Sequence, residues 1–344
     1  MLPKVDNSDP RRYHPAHMQV LITGGTGFTG SHVTRRYLER GHDVRVLDAK
    51  PGRSFDDLRA AGAEILLGSV ADRDAVRKAT AGCELVQHIA ASFRDVNASR
   101  AVYRSVNVEG TRIVGEEALR AGVRRVVYCS TEGVHGNVQS PPATEEAPIA
   151  PEDYYQQTKW EGEVAIREVA AQGLPISILR PTAIYGPGDP ERFLMLFRMV
   201  RKGRFFIVGD GSATYHPLYI DNLVDAFELA AERPEAVGET FLVGDERYLS
   251  WNELVPMVAA TLGVEVKIHY LPFRPVWLLS ALVEGACRPF GVAPPLFRRR
   301  AEMFSHVRAF AIAKARRLLG YQPKVPLEEG LRRTAEWYRA NGYL

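Results

Sequence analysis

Apolar and polar positions alternate along the chain in a pattern that predicts strands followed by helices. From Gln19 onward, short apolar runs are separated by longer stretches with helical periodicity. The runs predicted as strands are QVLIT (19–23), DVRVLD (43–48), AEILLG (63–68), ELVQHIA (84–90), RRVVYCS (124–130), ISILR (176–180) and VGETFLV (237–243). Helices are predicted near 27–40, after Phe55, and near 71–81, 101–121 and 155–172. This alternation predicts an α/β fold, a doubly wound (Rossmann) parallel sheet with crossover helices on both faces.

The pattern changes after Arg180. A turn cluster at 185–190 is followed by mixed helices, short strands and proline-rich connections, which predict a smaller C-terminal α/β substrate lobe. We expect three parts: a flexible N-terminal extension at 1–17, a cofactor-binding domain at 18–186 plus about 213–245, and a substrate-binding lobe at about 187–212 plus 246–344. Ligands of open α/β sheets bind beyond the carboxyl ends of the strands, so the site is expected between the lobes.

Composition and charge narrow the class of protein. The chain has 344 residues, 46% hydrophobic and 25% charged, which is typical of globular proteins and unlike disordered chains or membrane bundles. A formal charge of +3 predicts no nucleic-acid partner. The apolar stretch Val276–Val283 is too short for an integral membrane segment. Cys83, Cys129 and Cys287 form no disulfide or zinc pattern, so we expect a cytoplasmic protein without a metal site.

A glycine-rich loop, Thr23–Gly30 (TGGTGFTG), follows the first predicted strand and opens the first predicted helix. Glycines at this position permit a tight turn and the approach of a pyrophosphate to the helix N-terminus. The next strand ends in Asp48, whose carboxylate can bind the adenosine ribose hydroxyls and would repel a 2′-phosphate. The sequence therefore predicts a dinucleotide site that prefers NAD to NADP.

Tyr155 and Lys159 are four residues apart, so on a helix they share one face. A nearby ammonium favours the phenolate and suits the tyrosine to exchange a proton with a substrate alcohol or ketone. Thr131 comes just after the strand that ends at Cys129, where its hydroxyl can bind the reacting oxygen. These residues predict proton transfer coupled to hydride transfer.

Taken in order, the motifs resemble those of the extended short-chain dehydrogenase/reductase (epimerase/dehydratase) family. They are Thr23–Gly30, Val86–Ala91, Asn107–Thr111, Ser130–Thr131 ahead of Val134–Gly136, Tyr155 with Lys159, and Arg180–Pro181 ahead of Tyr185–Pro187. The resemblance implies that Tyr155 is the general acid/base, that Lys159 also holds the nicotinamide ribose, and that Thr131 takes the Ser/Thr position of the family. It also implies a homodimer formed by the helices near 101–121 and 155–172.

The resemblance assigns further residues to the two ligands. Those expected at the cofactor are Gly24, Gly27, Phe28, Thr29, Gly30, Asp48, Ser69, Val70, Ala90, Ala91, Asn107, Tyr155, Lys159 and Pro181. Ser69 departs from the family pattern, which often has an Asp near the adenine. Those expected at the substrate are Ser92, Glu132, Tyr215 and Arg274.

The substrate half separates the branches of the family. Dehydratases usually carry a Glu two residues after the active Thr, where this chain has Gly133, with Glu132 one step early. The phosphate clamp of sugar-nucleotide enzymes is absent unless Arg274 supplies it. The segments at 179–189 and 314–331 resemble instead the 3β-hydroxysteroid dehydrogenase branch.

The sequence thus predicts an NAD-dependent oxidoreductase that interconverts a secondary alcohol and a ketone of moderate size. The alternative is a nucleotide-sugar 4-epimerase that uses the same residues, which a basic patch between Phe297 and Arg317 keeps open as a phosphate cradle. A non-catalytic NAD-sensing protein on the same fold is a third interpretation.

Overall fold

The structure is a computed structural model that describes residues 17–93, 98–189, 192–287 and 298–344. Residues 1–16 of the predicted N-terminal extension lie outside this range. The strands are β1 (Gln19–Thr23), β2 (Asp43–Asp48), β3 (Glu64–Leu67), β4 (Leu85–His88), β5 (Arg125–Cys129), β6 (Ile176–Pro181), β7 (Ala183–Tyr185), β8 (Arg204–Val208), β9 (Thr214–Tyr215), β10 (Pro217–Tyr219), β11 (Thr240–Val243), β12 (Leu249–Ser250) and β13 (Lys267–Leu271). The helices are α1 (Phe28–Glu39), α2 (Phe55–Ala60), α3 (Arg73–Thr80), α4 (Arg100–Arg104), α5 (Gly110–Arg120), α6 (Tyr154–Ala170), α7 (Arg192–Arg201), α8 (Ile220–Glu232), α9 (Trp251–Leu262), α10 (Phe273–Cys287), α11 (Arg298–Glu302) and α12 (Leu327–Ala340).

Seven strands form one parallel sheet in the order β11-β6-β5-β4-β1-β2-β3. The chain runs outward from β1 to β3, returns to β4 on the other side of β1, and continues to β6. The reversal lies between β1 and β4, so a crevice opens there at the carboxyl ends of the strands. This confirms the predicted α/β class and doubly wound parallel sheet, including the return of the strand near 237–243 to it. The structure places that strand, β11, at the edge beside β6.

Helices cover both faces of the sheet, which explains why its strands are apolar on both sides. Successive residues of β1 show this directly, because Leu21 packs in one buried cluster whereas Val20 and Ile22 pack in another. The Leu21 cluster lies under α3, α5 and α6, and the other lies under α1 and α8. The sheet is therefore the rigid middle layer on which the site is built.

The helix predicted near 101–121 is α4 and α5 joined by one π-helical turn, Ser105–Glu109. Such a turn adds a residue to the helical repeat and often occurs at functional sites. Here it carries Asn107, whose side chain is fully buried.

Three two-stranded sheets lie outside the parallel sheet. They pair β8 with β13 in parallel, β9 with β12 antiparallel, and β7 with β10 in parallel. The buried cluster under α1 and α8 continues into the predicted substrate lobe through Phe197, Phe205 and Leu254, so the two lobes share one core. The residue-by-residue division into two domains stays a prediction. None of the described helices has the length and apolar character needed to cross a membrane.

Candidate active site

A cleft of roughly 1580 Å³ runs along the carboxyl ends of the strands and continues between the lobes. Most of the residues predicted for the cofactor and the chemistry line it together. They are Gly24, Gly27, Phe28, Thr29, Gly30, Asp48, Ser69, Val70, Ala90, Ala91, Thr131, Tyr155, Lys159 and Pro181. Of the residues predicted for the substrate, Glu132 and Tyr215 line the cleft, whereas Ser92 and Arg274 are not among its described wall residues. Arg274 is exposed on α10.

The glycine loop has the geometry that a pyrophosphate requires. Gly24 has a φ of +71°, and a Cβ there would lie 2.9 Å from the backbone of Ala90. A Cβ on Gly30 would lie 2.1 Å from the carbonyl oxygen of Gly24, so only glycine lets α1 start this close to the loop. No side chain caps the N-terminus of α1 at Gly27. Its first N–H groups are thus available to an anion, and the loop fits the phosphates of a dinucleotide.

Asp48 is held at the end of β2 by three hydrogen bonds. Its Oδ2 accepts from the backbone N–H of Thr26 at 3.1 Å and from the Thr26 hydroxyl at 2.6 Å, while its Oδ1 accepts from the N–H of Ala49 at 3.1 Å. These contacts fix a carboxylate at the position from which a ribose is bound in this fold. The Ser69 hydroxyl stabilises the adjacent turn, where it accepts a hydrogen bond from the N–H of Ala71 at 3.1 Å.

A buried chain of hydrogen bonds supports the floor of the cleft. The Thr23 hydroxyl donates to His88 Nδ1 at 2.7 Å, and His88 Nε2 donates to the Thr111 hydroxyl at 3.0 Å. Thr111 in turn donates to the carbonyl of Asn107 at 2.8 Å. Thr23 also accepts from the N–H groups of residues 89 and 90, and so fixes the loop after β4. Burial, together with the charge of Lys159, lowers the pKa of His88 to about 3, so this histidine is a neutral link.

Asn107 holds the floor from beneath and is not among the described wall residues of the cleft. Its Oδ1 accepts from the N–H of Ser92 at 2.7 Å, and its Nδ2 donates to the Ser92 carbonyl at 3.1 Å and to the Thr158 hydroxyl at 3.0 Å. These bonds connect the loop after β4 to α6. A direct contact of Asn107 with the cofactor stays a prediction.

Helix α6 presents Tyr155 and Lys159 to the cleft. It begins after Asp153, whose carboxylate caps the N–H of Gln156 at 2.8 Å. Lys159 is only 1% exposed, and its Nζ lies 4.2 Å from the centre of the Tyr128 ring. Burial lowers the pKa of the Lys159 ammonium to about 8, although Cys129 and Glu163 oppose this effect.

Thr131 lies at the start of the 3₁₀ turn Glu132–His135. Its hydroxyl accepts from the N–H of Gly133 at 3.1 Å and donates to Glu132 Oε2 at 2.8 Å. The side chain of Gln156 fills the space beside Gly133, where a Cβ would lie 2.9 Å from Gln156 Cγ. A carboxylate therefore lies next to Thr131, one residue earlier than in the dehydratases, and it accepts a hydrogen bond from the Thr131 hydroxyl.

A buried ion pair behind the catalytic candidates was not predicted from the sequence. Arg180 donates to both oxygens of Glu163, from Nε at 2.8 Å and from Nη2 at 2.7 Å, and both side chains are buried. Ser130 donates to the same carboxylate at 2.6 Å, and Arg180 Nη1 donates to His135 Nε2 at 2.9 Å. The pair ties β6 and α6 to the turn that carries Thr131. One signal was available: Glu163 lies four residues after Lys159 on the inner side of a helix, and a buried charge requires a partner.

The substrate half of the cleft has an apolar wall. Its apolar and aromatic residues are Phe93, Met195, Leu196, Met199, Phe205, Tyr215, Trp251, Leu254 and Met303. Phe93 is 45% exposed, and its ring centre is 4.7 Å from that of Tyr155. An apolar surface thus lies directly against the predicted proton donor.

Arg308 also lines this half, but its guanidinium is already bound. It donates to Glu152 Oε2 and to the carbonyl of Gly136, each at 2.8 Å. Other members of the predicted basic patch are paired as well: Arg298 with Glu284, Lys314 with Glu239, and Arg316 with Glu246. Phe297 and the side chains of Arg299 and Arg300 lie outside the described part of the chain. Four described cations of the patch, Arg298, Arg308, Lys314 and Arg316, form ion pairs, which argues against a free phosphate cradle built from them.

Comparison with known proteins assigns this arrangement to a family. Residues 20–244 match the model of the NAD dependent epimerase/dehydratase family. The chain belongs to this family. The match runs from β1 to the end of β11 and so covers the whole parallel sheet.

Relatives and solved structures place the chain among the extended short-chain dehydrogenases. It is 31% identical to a 3β-hydroxysteroid-dehydrogenase/decarboxylase (isoform 1) of Arabidopsis thaliana over 92% of this chain and 78% of that protein. It is 32% identical to the 2-alkyl-3-oxoalkanoate reductase of Stenotrophomonas maltophilia over 92% of this chain and 98% of that protein.

Two solved structures share the fold over nearly their full length. The UDP-glucose 4-epimerase of Thermotoga maritima, solved with UDP-glucose, has a TM-score of 0.74 and 28% identity over 94% of this chain and 99% of that chain. The dTDP-glucose 4,6-dehydratase of Streptomyces venezuelae, solved with NAD, has a TM-score of 0.75 and 26% identity over 94% of this chain and 98% of that chain. The chain is therefore an NAD-dependent oxidoreductase of the extended short-chain type, and its named relatives include hydroxysteroid dehydrogenases and ketoreductases.

Proposed function

We propose that the protein transfers a hydride between NAD and an uncharged secondary alcohol or ketone of moderate size. The observation that carries this proposal is the substrate half of the cleft, which combines an apolar wall with a guanidinium, that of Arg308, already neutralised by Glu152. A nucleotide sugar brings a diphosphate, which needs fixed cationic donors. An apolar ketone needs only one polar contact at its reacting oxygen.

The positions of the side chains support the following proposed roles. NAD, when bound with its phosphates at the glycine loop, accepts or supplies the hydride. Tyr155 exchanges the proton of the alcohol oxygen, and Lys159 stabilises the phenolate and orients the nicotinamide ribose. Thr131 binds the reacting oxygen when its hydroxyl exchanges the Glu132 carboxylate, to which it donates in this structure, for the substrate. Glu163 and Arg180 keep the Thr131 turn and α6 in register. Asp48 binds the adenosine ribose, which favours NAD over NADP.

The test is a panel of 3β-hydroxysteroids, smaller cyclic secondary alcohols and UDP-sugars, each incubated with purified protein and NAD. We expect NADH to form in proportion to the alcohol consumed. A nucleotide-sugar 4-epimerase, the alternative, would instead convert a UDP-sugar with no net change in NADH. Tyr155→Phe should lower kcat by roughly 10²–10⁴-fold, because it removes the proton donor and keeps the ring. Tyr154→Phe is the matched control, since Tyr154 is the neighbouring residue and lies outside the cleft wall. A Tyr155→Phe variant with full turnover would refute the proposed mechanism.

Assembly and location complete the proposal. A homodimer formed through α4, α5 and α6 is supported by Val102 and Val164, which are 44% and 38% exposed on these helices. Light scattering of the purified protein measures this directly. A cytoplasmic location is supported by the three cysteines, all of which are unpaired.

A further inference from the structure

Glu132 places a carboxylate beside the side chain that binds the reacting oxygen in the proposed mechanism. Its Oε2 accepts from the Thr131 hydroxyl at 2.8 Å and from the N–H of Gly133 at 3.0 Å. The proposed mechanism gives this carboxylate no role of its own. When the substrate oxygen takes over the Thr131 hydroxyl, the carbonyl of the substrate and the carboxylate of Glu132 are neighbours of one and the same side chain.

The second oxygen of this carboxylate is accessible from the cleft. Glu132 is half-buried and lines the cleft, and its Oε1 accepts no hydrogen bond from the residues that the structure describes. The buried polar atoms that have no partner in the described chain do not include Oε1, so this oxygen is open to solvent. A ligand in the substrate half therefore meets a carboxylate that can be reached.

The charge of Glu132 is not neutralised by any cation that the structure describes. The described guanidinium groups in the cleft wall are those of Arg35, Arg53 and Arg308. The first is on α1 and the second follows β2, so both belong to the cofactor half. Arg308 lies in the substrate half, but its guanidinium is 2.8 Å from Glu152. The Lys159 ammonium is buried under the cleft, where it serves the phenolate and the nicotinamide ribose. The reacting end of the substrate half thus carries an unpaired negative charge.

We propose that Glu132 excludes anionic ketones, so that the enzyme reduces uncharged ketones in preference to ketones that carry a carboxylate close to the carbonyl. An unpaired charge that faces a site rejects a competing ligand of the same sign. A carboxylate on the second carbon from the carbonyl stays within one Debye length, roughly 10 Å, of Glu132 in either orientation of the substrate, so dissolved salt screens the repulsion only in part. This inference rests on the proposed function, because it assumes that ketones are reduced in this cleft. Glu132 is thereby a specificity-determining residue.

The experiment compares each anionic ketone with a neutral ketone of the same shape. The pairs are 3-oxocyclohexane-1-carboxylate with 3-oxocyclohexane-1-carboxamide, and 4-oxodecanoate with 4-oxodecanamide. The members of a pair differ by one charge, because the carboxylic acid is ionised at pH 7 and the amide is neutral. Each ketone is reduced with NADH, whose nicotinamide ring is uncharged. The measured quantity is the ratio of kcat/KM for the amide to that for the carboxylate, which does not depend on the folded fraction of a variant.

Three variants separate the charge of the side chain from its shape. Glu132→Gln removes the charge and keeps an oxygen that can accept from Thr131 and Gly133, whereas Glu132→Asp keeps the charge on a shorter side chain. We expect a wild-type ratio of roughly 10 or more, a ratio lower by about fivefold or more in Glu132→Gln, and a ratio close to wild type in Glu132→Asp. Glu146→Gln is the matched control and should keep the wild-type ratio, because Glu146 is exposed and is not among the described wall residues of the cleft.

The outcomes distinguish this inference from the proposed function. A wild-type ratio near one, or the same ratio in Glu132→Gln as in wild type, would overturn the inference while ketone reduction stands. The inference also fails if Glu132→Asp behaves like Glu132→Gln, because length and not charge would then decide. If wild-type protein reduces no member of either pair, the inference is wrong, and a simultaneous failure of the hydroxysteroid and cyclic alcohol panel would show that the proposed function is wrong as well.

Discussion

Replacing Lys159 with Met should stabilise the protein while it removes activity. The Lys159 ammonium is almost fully buried, and burial lowers its pKa from an ordinary value of 10.5 to about 8. The folded state therefore carries a cost for keeping the proton that the unfolded chain does not carry. Methionine fills a similar volume without a charge, so the cost disappears with the ammonium.

The size of the effect follows from linkage between protonation and folding. A fall in pKa from 10.5 to about 8 corresponds to about 3 kcal/mol at pH 7. Between pH 8 and 10.5 the unfolded chain binds more protons at this site than the folded protein does. The wild-type protein thus gains stability as the pH rises through this window, and the advantage of the variant shrinks to about 1.4 kcal/mol at pH 9.5. For 344 residues, about 3 kcal/mol raises the melting temperature by about 4–5 °C.

Calorimetry of the cofactor-free protein at pH 7 and pH 9.5 measures both numbers, and NADH formation measures the activity. Lys78→Met, on the exposed surface of α3, is the control and should change the melting temperature by less than 1 °C or so. A lower melting temperature for Lys159→Met at pH 7 would refute the reasoning. So would an advantage that stays constant between the two pH values.

Two other substitutions test the frame of the site. Gly30→Ala places a Cβ 2.1 Å from the Gly24 carbonyl oxygen, so we expect NAD affinity to fall by more than about tenfold. Titration of protein fluorescence with NAD measures this affinity. Gly82→Ala, in an open loop, should keep the wild-type affinity. Glu163→Ala leaves the Arg180 charge buried without a carboxylate partner and should lower the free energy of unfolding in urea by about 3–5 kcal/mol. The double variant Glu163→Met with Arg180→Met should lose less than either of its single variants, Glu163→Met and Arg180→Met. Additive losses in this cycle would contradict the assigned ion pair.

The parallel sheet and the glycine loop were predictable from the sequence because both depend on local patterns. The strands of the sheet are apolar runs between helices of ordinary length, so periodicity alone locates them. The glycine loop is recognisable because Gly24 and Gly30 have steric requirements that no other residue meets. The glycine loop, Asp48 and the Tyr155–Lys159 pair follow one another along the chain as local motifs, so together they predict the cofactor and the chemistry.

The remaining features depend on contacts between distant segments. Nothing local to His88 shows that it links Thr23 to Thr111, or that Asn107 lies under the floor rather than in the cleft wall. The carboxylates that pair with Arg308 and Arg298 come from other parts of the chain. The sequence of the basic patch alone therefore does not show how many of its arginines are left without an ion pair. Arg274 shows the same limit, since its place on an exposed face of α10 follows from how that helix packs.

The return of β11 to the sheet has a consequence for how the chain folds during synthesis. Between β6, which ends at Pro181, and β11, which begins at Thr240, the chain builds α7, α8 and four short strands that lie outside the parallel sheet. Until residue 243 has left the ribosome, β6 is an unpaired apolar edge, the kind of surface through which nascent chains aggregate. Closing this long loop also makes the last strand pairing slow relative to local helix formation. A fragment ending near residue 186 would keep that edge exposed, so we expect such a fragment to aggregate where the longer chain with β11 does not.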